Sequence, residues 1–210
     1  MKKFITLLTL LILSYGNVSA QGDVALSQED KDALTERIKE KLDDFQDELK
    51  IVVGGKEKST KQAAVTTALK LFIGEGNRYK YTDNSGVERW HKAIQMQTSS
   101  ERWGIRNQSM KSYLNALTLM QGYRYDKVTI DQADAVRVGS INPVGNGKYV
   151  AIASICQHFC GYKDGRLVIN DYDVKTVKVY INKIEYQTPD GNIVIWEAKL
   201  GDFKVTETWH

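Results

Sequence analysis

Cys156, His158 and Cys160 stand at every second position of Cys-Gln-His-Phe-Cys. On an extended strand that spacing turns all three side chains to one face, where soft sulfur and imidazole are ligand types that suit zinc. Tetrahedral closure needs a further ligand, and the other histidines, His91 and His210, are far away in the sequence. The plainer expectation is a packed histidine beside inert thiols, with no metal. In an oxidising compartment the two cysteines could pair. Four strand steps of about 3.3 Å would hold them roughly 13 Å apart, so a bridge requires a local turn or bulge. The chain has no Gly-x-Ser-x-Gly elbow, phosphate loop or His-Glu-x-x-His pair. Serine-triad acyl transfer, nucleotide hydrolysis and metalloprotease action therefore lose their usual support. Trp90, Trp103, Trp196 and Trp209 are aromatic anchors of the kind found at sugar and protein surfaces, and the first three are ligand-binding candidates. Alternatively, Trp90 and Trp196 fill the core and Trp209 caps the last strand.

Positioning such residues falls to the elements around them. Ser27 with Asp30 has the form of a capping box, and Leu34, Ile38, Leu42, Phe45 and Leu49 follow at helical spacing as far as Gly54-Gly55. This predicts an amphipathic helix of about six turns with a solvated charged face. Ser59 and Gln62 predict a second helix, with Ala64, Val65, Ala68, Leu69 and Phe72 turned inward. Tyr79 and Tyr81, then Asp83-Asn84-Ser85-Gly86, then Trp90, Ile94 and Met96 read as one hairpin. Ser109 opens a third helix, whose apolar side is Met110, Tyr113, Leu114, Leu117 and Met120.

Beyond Gly122 the pattern is almost wholly β. Residues 127–138 predict a strand bulged near Ala133. After Gly145-Asn146-Gly147, Tyr149, Ala151, Ala153 and Ile155 alternate with Val150, Ile152 and Cys156, which reads as a long strand buried on both faces. A strand through Val177, Val179 and Ile181 follows an irregular Asn170-Asp171-Tyr172-Asp173. Pro189-Asp190-Gly191 predicts a reverse turn, and the last strand breaks phase at Gly201-Asp202. The expected class is α+β: three helices packed on a curved antiparallel β-sheet that forms a cone, with a four-stranded meander closing the chain.

This order of elements resembles the nuclear-transport-factor-like superfamily, also called cystatin-like, which includes ketosteroid isomerases and polyketide cyclases. Gly161-Tyr162-Lys163-Asp164-Gly165 and the carboxy-terminal Trp196-Glu197-Ala198-Lys199-Leu200-Gly201-Asp202-Phe203-Lys204-Val205 look like those of exported members from Bacteroides-type bacteria. The resemblance covers roughly residues 27–209, and its motifs are structural rather than chemical. It implies a pocket between the concave sheet and the helices. Following ketosteroid isomerase logic, a carboxylate moves a proton while a tyrosine helps to hold the oxyanion. The candidates are Asp131 or Asp134 as base, Tyr113, Tyr149 or Tyr180 as donor, and His158 as an alternative base. A plain core or surface role competes at each position. The resemblance also implies a homodimer through the outer sheet face. A protease inhibitor is disfavoured by the lack of a Gln-x-Val-x-Gly loop.

The expected function is an exported small-ligand-binding or protein-interaction module, with a small molecule or a glycan as ligand and no cofactor. The alternative is a small-molecule isomerase, dehydratase or cyclase. Export is read from Lys2-Lys3, the apolar residues 4–13 and Val18-Ser19-Ala20, the three parts of a signal peptide cleaved near Ala20. The apolar run falls short of the roughly 20 residues of a membrane span. Residues 1–20 would then be the signal peptide and 21–210 a single domain, periplasmic or secreted. Without Lys2 and Lys3, the 29 Lys and Arg fall to 27 against 26 Asp and Glu. So balanced a chain lacks the basic stripe that nucleic-acid binding requires.

Overall fold

The computed structural model describes residues 26–82, 87–101, 104–145, 147–188 and 191–209. The expected leader, the turns at 83–86 and 189–190 and Trp103 lie outside the described residues. Helix α1 spans Gln28–Gly54, and the Ser27 hydroxyl accepts the Asp30 N–H at 3.0 Å. Its five predicted apolar positions are buried, each at most 2% exposed. Helix α2, Lys58–Lys70, starts at Glu57 without a side-chain cap, so Ser59 falls in its first turn rather than at its start. Lys61 is buried, and its ammonium donates to Val53 O at 3.2 Å and Thr118 O at 3.4 Å. One cation thereby satisfies carbonyls near the end of α1 and in α3, Met110–Tyr123. Ser109 caps α3 as expected, accepting the Ser112 N–H at 3.1 Å.

Among the described residues the alternating segments form ten strands. β1, Tyr79–Thr82, and β2, Glu88–His91, form a two-stranded ribbon. β3, Gln95–Thr98, belongs to a different sheet, so Ile94 and Met96 do not continue the hairpin arm of Trp90 as the pattern suggested. The remaining strands are β4, Arg106–Ser109; β5, Lys127–Gln132; β6, Arg137–Val138; β7, Asn142–Gly145; β8, Lys148–Lys163; β9, Arg166–Thr188; and β10, Gly191–Trp209. The expected bulge near Ala133 is a break between β5 and β6, both of which pair with β8.

The main sheet has eight strands in the order β4-β3-β10-β9-β8-β5, with β6 and β7 also on β8, and it does not close into a barrel. All its pairs are antiparallel except β3 with β10. The class is thus α+β, with three helices and a large, mostly antiparallel sheet. No helix among the described residues is long and apolar enough to cross a membrane.

The core lies between the helices and one sheet face. Phe45 of α1, Phe72 and Phe203 of β10 meet with ring centroids 5.1 to 5.9 Å apart. All three are essentially unexposed, each contributing roughly 1.5–3 kcal/mol through burial. The buried Gln46 amide donates to Ile130 O at 2.9 Å, stitching α1 to β5. Along β8, Tyr149, Ala151, Ala153 and Ile155 are buried, but Ile152 on the other face is 48% exposed. The strand is therefore buried on one face from Tyr149 to Gln157, while the other is half-buried or exposed as far as the buried Cys160. A bare backbone is needed at Gly201, where β10 shifts register against β9. A Cβ there would meet Lys178 O and the Tyr180 ring, both at 2.8 Å.

Candidate functional site

The inward row of β9 changes character along its length. Val177, Val179 and Ile181 meet the apolar core, and the same period-two phase runs back through Lys175, Asp173 and Asp171, all buried. Asn170 to Asp173, read from sequence as irregular, is regular strand paired with β8. Burial of charge is costly unless the groups are paired and hydrogen-bonded, and these are. Lys175 Nζ lies 3.2 Å from Asp173 Oδ2, with the two side chains 2% and 9% exposed. The same ammonium donates to Gln157 Oε1 of β8 at 2.6 Å. Asp173 also accepts the Thr208 hydroxyl at 2.8 Å and the Ser99 N–H at 3.3 Å. Burial pushes the Lys175 pKa down, and the neighbouring Asp173 partly offsets that shift.

These groups line a cavity of about 950 Å³ between α3 and the ends of β8 and β9. Tyr113, Leu117 and Met120 of α3, with Phe159 and Ile169, give it apolar walls. Arg106, Arg124 and Lys163 also border it. Burial, reinforced by the Asp173 charge, pushes the Tyr113 pKa well above its ordinary value, so the phenol stays protonated. The arrangement combines an apolar space with Tyr, Gln, Lys and Asp groups at one end, as small-molecule sites do.

Of the residues singled out from sequence, Tyr113 lines this cavity. Tyr149 is buried elsewhere in the core, its ring edge-on to Trp196 at 5.6 Å. Asp131 is exposed on β5, in register with His158. Asp134 is exposed and pairs with Arg137 at 3.2 Å. His158 follows the inward Gln157 and so faces the opposite side of the sheet, stacked on Tyr172 with centroids 4.0 Å apart. Tyr180 lies on that opposite side as well, beneath Lys178 Nζ at 4.8 Å. Asp131, His158 and Tyr180 are therefore not brought together with Tyr113.

Trp90 is 60% exposed on the ribbon, between the cations of Arg78 and Lys80, and does not fill the core. Trp196 is half-buried at the core edge, and Trp103 lies outside the described residues. Cys156 and Cys160 are unbridged, with Cys160 Sγ 3.0 Å from His158 Nε2. Among the described residues, no three His, Cys, Asp or Glu side chains converge as metal ligands.

Sequence reasoning missed Gln157, Asp171, Asp173 and Lys175. The available signal was phase: each Asp and the Lys precedes Val177 by an even number of residues. Comparison of the chain with family models, curated proteins and solved structures found no match.

Proposed function

We infer that the protein is a small-ligand-binding module whose site is the cavity bounded by α3, β8 and β9. The observation that carries this reading is the buried Gln157–Lys175–Asp173 set in a space of about 950 Å³ that Tyr113, Leu117, Met120, Phe159 and Ile169 wall with apolar surface. A space of that size matches the clefts that take drug-sized molecules. The chain order of helices, ribbon, helix and long antiparallel strands supports membership of the nuclear-transport-factor-like superfamily. In that reading the register shift at Gly201 bends the sheet into a cone around the helices. Export through the leader at residues 1–20 belongs to the same proposal. So does a homodimer through the sheet face that exposes Ile152 and Trp209, and sedimentation as a monomer would remove that last element.

Nile red, a neutral apolar dye that brightens when dry, tests the binding claim. It should saturate at one per chain, and Ala116→Trp, which places an indole in the space lined by Ala116, should weaken binding about tenfold or more. Undiminished binding to a folded Ala116→Trp variant, or no binding to the parent protein, would refute the assignment.

Acid–base catalysis in the same cavity is the second reading, favoured by a protonated Tyr113 under the influence of the Asp173 charge. Binding takes precedence because Asp173 already accepts from Lys175, Thr208 and Ser99, which leaves it poorly placed to receive a substrate proton.

A further inference from the structure

The orientation of one amide sets the chemistry at the polar end of the cavity. Gln157 Oε1 lies 2.6 Å from Lys175 Nζ. An ammonium can only donate, so the amide must turn its oxygen toward Lys175 and its NH₂ the other way. Gln157 is 4% exposed and lines the cavity, and its Nε2 has no hydrogen-bond partner among the described residues. Gln121 Oε1 is the other buried side-chain atom so placed among the described residues, and Gln121 does not line the cavity. A buried donor without an acceptor costs free energy that a ligand oxygen would restore.

The lining carries Lys175, Arg106, Arg124 and Lys163 against Asp171 and Asp173, so charge does not separate one oxygen acceptor from another, and the amide geometry alone defines the partner. A carbonyl oxygen is such an acceptor. Tyr113, Leu117, Met120 and Phe159 then surround whatever apolar body carries it.

We propose that Gln157, its amide held by Lys175, is the specificity-determining donor of the cavity and selects ligands that carry a carbonyl oxygen at the end of an apolar body. This rests on the ligand-binding reading above and adds the class of ligand to it. Two probes of nearly one shape test it by calorimetry on the full chain: 2-acetylnaphthalene and 2-ethylnaphthalene. The ketone should bind about tenfold or more tighter than the hydrocarbon, with its carbonyl stretch moved to lower wavenumber on binding. Gln157→Met removes the donor, and Gln157→Glu removes it while leaving Lys175 an acceptor, so at least one fold-competent variant is expected.

In a folded variant the preference for the ketone over 2-ethylnaphthalene should fall to within about threefold, and the carbonyl shift should disappear. Equal binding of ketone and hydrocarbon to the parent protein, or an unchanged preference in the folded variants, overturns the role of Gln157 while the cavity reading stands. Failure of both probes to bind the parent protein removes the binding reading itself.

Discussion

Replacing Lys175 with methionine removes the cation from the most deeply buried ion pair of the site while keeping most of the side-chain volume. Two unit charges 3.2 Å apart attract by roughly 5 kcal/mol at an effective dielectric of about 20. Desolvation of both groups offsets much of that in the intact pair, but Lys175→Met leaves Asp173 buried and without its cation. The expected loss is about 3–5 kcal/mol, or about 10 °C in unfolding midpoint for a domain of this size. Adding Asp173→Asn removes the stranded charge and keeps an acceptor for Ser99 and Thr208, so the double variant should be more stable than Lys175→Met alone. Urea unfolding of the two single variants and the double variant closes the cycle. A cost below about 1 kcal/mol for Lys175→Met, or additive costs in the double variant, would refute a coupled buried pair.

The sign of the pH dependence follows from the same burial. The pKa of Lys175 is lowered from 10.5 in the fold, so its ammonium opposes folding at neutral pH and that penalty is relieved as pH rises toward 10.5. Lys175→Met should remove this alkaline gain from a plot of stability against pH. Tyr113 acts in the opposite sense. With its pKa raised above 10.0, it contributes stability that is present below pH 10 and lost as pH climbs through its folded value, so Tyr113→Phe should blunt unfolding above about pH 10. Gly201→Ala should cost about 1–3 kcal/mol in urea unfolding, because its Cβ would collide with Lys178 O and Tyr180 at 2.8 Å. Gln46→Met deprives Ile130 O of its donor and should cost about 1–3 kcal/mol by the same assay.

Helices were legible where apolar spacing and caps agreed: Ser27 and Ser109 cap α1 and α3 as their sequences predict. α2 starts two residues before the expected Ser59 cap, at Glu57, which makes no side-chain cap. Strand positions were legible too, but the partners were not. Whether the Met96 segment continues the Trp90 arm or joins β10 depends on packing around Phe203, its partner across the sheet. The site was harder to see. Asn170-Asp171-Tyr172-Asp173 has the composition of a turn, yet Lys175 on the same strand, with Thr208 and the Ser99 N–H from distant parts of the chain, makes the inward Asp173 carboxylate tolerable in a strand. Helical spacing places Tyr113 on the apolar side of α3, and the structure sets that side against the cavity. Asp131 and His158 pair across β5 and β8 on the sheet face opposite Gln157, a separation set by strand alternation that their residue types do not reveal.

The claim on which the account depends is that ligands enter between α3 and the polar end of β8 and β9. Amide NMR of the ¹⁵N-labelled chain during titration with 2-acetylnaphthalene tests it directly. The account predicts that the Gln157 side-chain NH₂ signals move downfield and saturate, with changes spreading to α3, while the Trp196 indole N–H stays in place. Shifts confined to Trp90 or to the outer face around His158, or none anywhere at saturating probe, would contradict it.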